Sequence, residues 1–151
     1  EKAEVAKAAG CHFPVVRSEK SFVEVVREVT NNEGCAVVYE AIGKDTLQDS
    51  LDTLRPMGIC AAYGHVSGPP DPVDIIQDLG RRGSLFITRP AIMHYVAKRA
   101  DLEWTARDLF KAIGDKIISA NINYEYELKD AVQAHTAIES GKTLGASVLI
   151  P

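Results

Sequence analysis

Two short stretches hold the residues best suited to gripping a ligand. Ala62-Tyr63-Gly64-His65-Val66-Ser67-Gly68-Pro69-Pro70 and Ser84-Leu85-Phe86-Ile87-Thr88-Arg89-Pro90 each run apolar and then break into a polar turn with Gly or Pro. In an open parallel sheet such breaks mark the carboxyl ends of strands, the side on which ligands bind. Gly64 lets a ligand approach the backbone closely. Pro90 fixes a turn and leaves its carbonyl free. The chemistry of such a rim is binding and orientation. A purely structural turn after a buried strand is the plainer reading of the same residues.

Side chains for acid–base, metal or covalent work are sparse. His12, His65, His94 and His135 form no i, i+4 pair and no metal-type cluster with Cys or carboxylates. His135 lies on an apolar helical face and is expected to be a satisfied core histidine. There is no Gly-x-Ser-x-Gly elbow. Tyr39-Glu40 offers an acid–base pair, but a glutamate at a strand end is more simply a surface or capping carboxylate.

The 151 residues suffice for one ordinary domain with a core. Hydrophobic content of 46% and charged content of 25% mark a globular chain. A net charge of −4 without a basic cluster argues against nucleic acid as a general partner. Cys11, Cys35 and Cys60 support neither a disulfide framework nor a zinc site, and reduced thiols point to the cytoplasm. No apolar run approaches the ~18 residues of a membrane span, and no signal peptide is visible. The opening Glu1-Lys2-Ala3-Glu4-Val5-Ala6 is already helical in pattern and lacks an initiator Met, as if cut from something longer.

The elements that must position the rim follow from periodicity. Residues 1–9 form a helix stopped by Gly10. Residues 12–16 are a short strand candidate weakened by Pro14. Ser18 caps a helix whose stripe is Phe22, Val25, Val26 and Val29, ended by Asn31, Asn32 and Gly34. The unbroken apolar runs 35–39 and 59–63 suit parallel strands buried on both faces. Between them Asp45 and Gln48 open a helix carrying Leu47, Leu51 and Leu54 on one face, with Pro56-Met57-Gly58 terminating the run. A loop at 64–72, a short helix at 73–80 and a strand at 84–88 complete the alternation. Strand–helix–strand spacing of this kind gives right-handed βαβ units and a doubly wound α/β sheet.

From about residue 93 the pattern changes, and a domain boundary is expected near Ile92. A helical region runs through Leu102, Ala106, Leu109, Phe110 and Ile113. Residues 117–124 alternate as a half-exposed strand, Ile118, Ala120, Ile122 and Tyr124 on one side. A helix follows with Ala131, Val132, His135 and Ile138 on its apolar face and Gly141 as its stop. The last strand is Ala146-Ser147-Val148-Leu149-Ile150.

Val37 through Thr46, Ser50-Leu51-Asp52, Leu54-Arg55-Pro56-Met57-Gly58, Ser84 to Pro90, Leu128 through Ala131, Ala134-His135, Lys142-Thr143, Gly145 and Leu149-Ile150-Pro151 together have a familiar order and spacing. In these segments the chain resembles the zeta-crystallin-like quinone oxidoreductases of the medium-chain dehydrogenase/reductase superfamily. The resemblance covers essentially the whole chain but about half of such an enzyme. It implies that residues 1–92 are the second part of a dinucleotide-binding Rossmann domain, without the Gly-rich phosphate loop, and that residues 93–151 return to complete the catalytic domain. It therefore implies an incomplete Rossmann-type sheet.

The same resemblance suggests site residues. Lys2 takes the place of a lysine that binds the 2′-phosphate of NADPH; its plain alternative is a solvated charge at a chain end. Arg17 stands where the family has a cofactor-contacting tyrosine, so either its guanidinium reinforces phosphate binding or the ribose contact is lost. Tyr63, Gly64, His65 and Val66 replace the family's Phe-Gly-Asn-Ser beside the nicotinamide and its ribose. Pro90, Ala91 and Ile92 correspond to backbone contacts with the nicotinamide amide. Lys142 corresponds to a basic residue that reaches the cofactor, or is a cation placed at a helix C-terminus by the dipole. No catalytic side chain is assigned.

The implied activity is zinc-independent, NADPH-dependent reduction of quinones or conjugated enones, with the isolated fragment expected to be inactive. A homodimer through the edge strand 84–88 is expected. The alternative is a non-catalytic nucleotide- or RNA-binding protein or a crystallin-like structural protein.

Overall fold

The computed structural model describes residues 2–119 and 121–151. Contacts divide it into two compact units, Ala3–Tyr95 and Val96–Pro151, with Lys2 grouped in the second.

In the first unit, strands β1 (Cys35–Glu40), β2 (Leu54–Ala62) and β3 (Phe86–Thr88) form a parallel sheet in that order. Glu40 lies opposite Ala62, and Ala61 opposite Thr88, so the three strands finish nearly level. Helix α1 (Lys2–Ala8) ends where Gly10 turns to φ +98°. Helix α2 (Phe22–Val29) ends where Asn31, Asn32 and Gly34 all take positive φ, the left-handed exit that these residue types tolerate. Helix α3 (Leu47–Asp52) links β1 to β2, and a single π-helical segment, Ile75–Gly80, links β2 to β3. Short helix α4 (Ile92–Tyr95) closes the unit.

The core is built where α3 meets the sheet. Leu47, Leu51, Leu54, Cys60 and Leu85 are buried, with Val38, Ala62, Val73, Leu79 and Ile87 packed against them. Burying each leucine contributes about 1.5–3 kcal/mol, and the spacing of Leu47 and Leu51 one helical turn apart aims both at the strands. Arg82 ties the layer together at its surface. It donates to the carbonyl and side chain of Gln48 and pairs with Asp52 and Asp78.

Several expectations need correction. Residues 12–16 form no strand; Pro14 removes a ladder donor, and among the described residues the sheet has no partner for them. Among the described residues, strands β1 and β2 are covered on one face only. Val37, Tyr39, Ile59 and Phe86 point away from α3 and are exposed, Tyr39 by 76%. The Ser18 cap is replaced by Ser21, whose side chain makes no capping bond. Asp45 precedes α3 by one turn residue, and Thr46 holds the cap position. Pro56-Met57-Gly58 lies inside β2, where Met57 takes φ +58° and the pairing with β1 slips between Cys35 and Val37.

In the second unit, α5 (Arg99–Gly114) is followed by β4 (Ile122–Glu127), α6 (Ala131–Glu139) and β5 (Ala146–Ile150), with β4 and β5 parallel. The strand expected at 117–124 is shifted toward the carboxyl end. Residues 117–119 lie outside any helix or strand, Ala120 lies outside the described residues, and the pairing with β5 selects 122–127. The inner face of α6 also differs from expectation. Ala134 is buried, whereas Val132, His135 and Ile138 are exposed. Small alanines let α6 lie close on the two strands, and His135 is therefore not a core histidine.

Candidate functional site

The carboxyl ends of β1, β2 and β3 carry two loops that are sewn together. After β1, residues 41–46 turn toward α3; after β2, residues 63–68 turn beside them. Val66 N–H donates to the Ala41 carbonyl at 3.3 Å, and Ser67 N–H to the Ile42 carbonyl at 2.8 Å. Ser67 Oγ donates to the same Ile42 carbonyl and accepts from Asp45 N–H. Lys44 N–H donates to the Gly68 carbonyl.

Two glycines permit this approach. Gly43 has φ +92°, and a Cβ there would lie 2.6 Å from the Gly68 oxygen. At Gly64 a Cβ would run into the Ala41 carbonyl and lie 2.7 Å from Ala41 Cα. Gly64 is therefore required for the close packing of the two loops.

Glu40 anchors the seam as a capping carboxylate. It is 3% exposed rather than on the surface. Its Oε1 accepts from Ile42 N–H at 2.6 Å, Gly43 N–H at 3.0 Å and Thr46 Oγ1 at 3.0 Å. Its Oε2 accepts from Ser50 Oγ at 2.5 Å and from Thr46 Oγ1 at 3.0 Å. Its backbone carbonyl accepts from Tyr63 N–H at 2.9 Å and Gly64 N–H at 3.2 Å. Burial alone would push the carboxyl up, but the bonds from Ser50, Gly43, Ile42 and Thr46 outweigh it and hold the group below the ordinary glutamate value. Tyr39 points to the opposite, open face, so Tyr39 and Glu40 do not form an acid–base pair.

Arg89, at the end of β3, is a rim residue that sequence reading left unassigned. Its Nη1 donates to the Ala62 carbonyl at 2.8 Å, and its Nη2 lies 3.2 Å from His65 Nδ1. Gly64, His65, Pro69, Pro70 and Arg89 line an open cavity with Ala62. A second cavity on the other side of Arg89 takes in Thr88, Pro90, Ala91, His94 and Tyr95. Gly64 and Pro90 thus follow adjacent parallel strands on one rim.

The other sequence-selected residues are placed as follows. Tyr63 is about half exposed, and Val66 and Ile92 are exposed. Arg17 is exposed and shares an open cavity with Lys20, Ser21, Asp45 and Asp49. Lys2 Nζ donates to the Gly141 carbonyl at 2.5 Å, beside exposed Lys142. Among the described residues, no group of three or more His, Cys, Asp or Glu side chains is placed to hold a metal ion. No described helix is long and apolar enough to cross a membrane.

Comparison with known proteins supplies the context for this rim. The family profile described as zinc-binding dehydrogenase matches residues 1–107. A 2-haloacrylate reductase from Burkholderia sp is 48% identical over 151 residues, all of this chain and 45% of that protein. A quinone oxidoreductase from Salmonella typhimurium is 39% identical over 153 residues, again all of this chain and 46% of that protein. The crystal structure of Escherichia coli quinone oxidoreductase complexed with NADPH superposes with a TM-score of 0.91 at 35% identity, covering 99% of this chain and 46% of that one. The chain spans a little under half the length of the curated relatives it matches.

Proposed function

The chain belongs to the zinc-binding dehydrogenase family, and we propose that it carries the nicotinamide rim of an NADPH-dependent reductase of quinones or conjugated enones. The observation that carries this reading is the common rim: Tyr63–Val66 and Pro90–Ile92 follow adjacent parallel strands, with open space between and beside them. Open α/β sheets place their ligands on that side. The relatives named as reductases of quinones and of 2-haloacrylate support the substrate class, since each name denotes an acceptor conjugated to a carbonyl or carboxylate. The neighbour solved with NADPH supports the cofactor.

The residues present fit the nicotinamide end of that cofactor. Backbone groups of 63–66 and 90–92 line the rim, and the β1 and β2 loops are hydrogen-bonded into a fixed wall. NADPH, when bound, supplies the hydride. The chain's part is to bind and orient: the wall fixes one side of the site, Arg89 locks β3 to β2, and Pro69 and Pro70 keep an apolar edge against water. Lys2 and Arg17 are assigned to the 2′-phosphate and Lys142 to a further cofactor contact. We propose further that the whole protein acts in the cytoplasm and pairs as a homodimer through the exposed edge of β3.

The test uses the full-length protein. NADPH titration followed by fluorescence is expected to show tighter binding than NADH by about tenfold or more, as pairing of a phosphate with Lys or Arg provides. NADPH oxidation is expected to depend on an added quinone or enone. Equal binding of NADH and NADPH would remove the roles of Lys2 and Arg17. Absence of any NADPH binding would favour the non-catalytic alternative.

A further inference from the structure

We propose that Glu40 is a positioning residue for the nicotinamide rim: its side chain shapes the turn after β1, and its carbonyl holds the start of the loop after β2. The inference rests on reading that rim as the cofactor site. Both attachments come from one residue. Oε1 and Oε2 together take two loop amides and two hydroxyls, at Ile42, Gly43, Thr46 and Ser50. The Glu40 carbonyl takes Tyr63 N–H and Gly64 N–H. Residues 41 and 42, fixed by the carboxylate, then present the carbonyls that hold Val66 and Ser67. Tyr63 and Gly64 are therefore held directly by Glu40 and Val66 by its turn, with His65 between them in the chain.

The geometry separates positioning from chemistry. Glu40 is buried on the α3 side of the sheet, and both carboxylate oxygens are fully engaged by protein donors. It has no free lone pair to offer a ligand, so it acts only through the loops. A neutral isostere does not reproduce the arrangement. Glutamine presents one acceptor oxygen and one NH₂ group, and that NH₂ would face either the Ile42 and Gly43 amides or the Ser50 hydroxyl. Facing the amides it sets donor against donor, and the turn must shift. Facing Ser50 it forces the hydroxyl to reverse its role.

The experiment compares wild type, Glu40→Gln and Glu40→Asp in the full-length protein. Thermal midpoints are recorded, and NADPH dissociation constants are measured well below each midpoint, so that only folded protein is titrated. Glu40→Gln is expected to weaken NADPH about tenfold, roughly the loss of one charge-assisted bond. Glu40→Asp, which keeps the charge, is expected to recover part of that loss. Amide exchange at Val66 and Ser67 should quicken in Glu40→Gln. A lowered midpoint with NADPH affinity within about twofold of wild type would overturn the proposal and leave Glu40 a purely structural group.

Should Glu40→Gln fail to fold, Thr46→Val and Ser50→Ala each remove a donor and keep the carboxylate. Each is then expected to weaken NADPH about threefold, and unchanged affinity in both overturns the proposal. A wild-type protein that binds no NADPH overturns the reading of the rim itself, a result distinct from normal wild-type binding that the variants leave untouched.

Discussion

Glu40 exchanges its hydration for bonds from two amides and two hydroxyls, and that exchange makes fold stability depend on acid. Its folded pKa lies below the ordinary glutamate value of 4.5, because the bonds from Ser50, Gly43, Ile42 and Thr46 outweigh the burial that acts against them. The stabilisation is fully present above the unfolded value and is lost as pH falls through the folded one. Urea unfolding at a series of pH values is therefore expected to show Glu40→Gln furthest below wild type near neutrality, with the gap closing in the acid range below the ordinary value. A constant gap would mean that the charge is irrelevant. Cys60 shows the opposite balance. Burial, helped by the nearby Glu40 charge, pushes its thiol up to about 11, so it stays protonated at neutral pH and serves as a small core group. The roles of Glu40 and Arg89 were not legible locally. The partners of the Glu40 carboxylate are loop amides and hydroxyls up to ten residues on, and Arg89 reaches His65 across 24 positions.

At the scale of elements, the seam between the post-strand loops is the feature that mutation should disturb most sharply. Gly64→Ala places a methyl group against the Ala41 backbone, which has no side-chain freedom with which to yield. We expect it to cost about 1–3 kcal/mol, in the range of overpacking, and to weaken NADPH binding, both read from urea titration and fluorescence. A silent variant would show that the loops part easily. The strand–helix–strand order of the first unit was readable because Leu47 and Leu51 fall on one helical face and because residues 35–39 and 59–63 are unbroken apolar runs. The second unit was harder. Residues 117–124 and 122–127 alternate about equally well, and only the partner strand β5 decides which segment joins the ladder. The short run at 12–16 failed for the same reason, since apolar character without a neighbouring strand does not make a sheet.

For the molecule as a whole, β3 is the edge of its sheet, with one side paired to β2 and none of the described strands on the other. An edge of this kind accommodates a second copy by strand addition. The proposed dimer should appear as a twofold species in gel filtration of the full-length protein at micromolar concentration. Replacing Phe86, which is exposed on that strand, with lysine should shift it toward monomer. A monomer throughout would rule the dimer out. The resemblance of the chain to reductases was legible because its short motifs keep their order over the whole length. The proposed cofactor contacts were less so, because those assigned to 63–66 and 90–92 would be made largely by backbone, which leaves little trace in side-chain identity.

The uncovered side of the three-stranded sheet has a practical meaning. Val37, Tyr39, Ile59 and Phe86 present a hydrocarbon surface to water, and such surface is adhesive. Handled alone, these 151 residues should stick to one another and take up environment-sensitive dyes, and sulfate should worsen the clumping, because excluded salts strengthen apolar association.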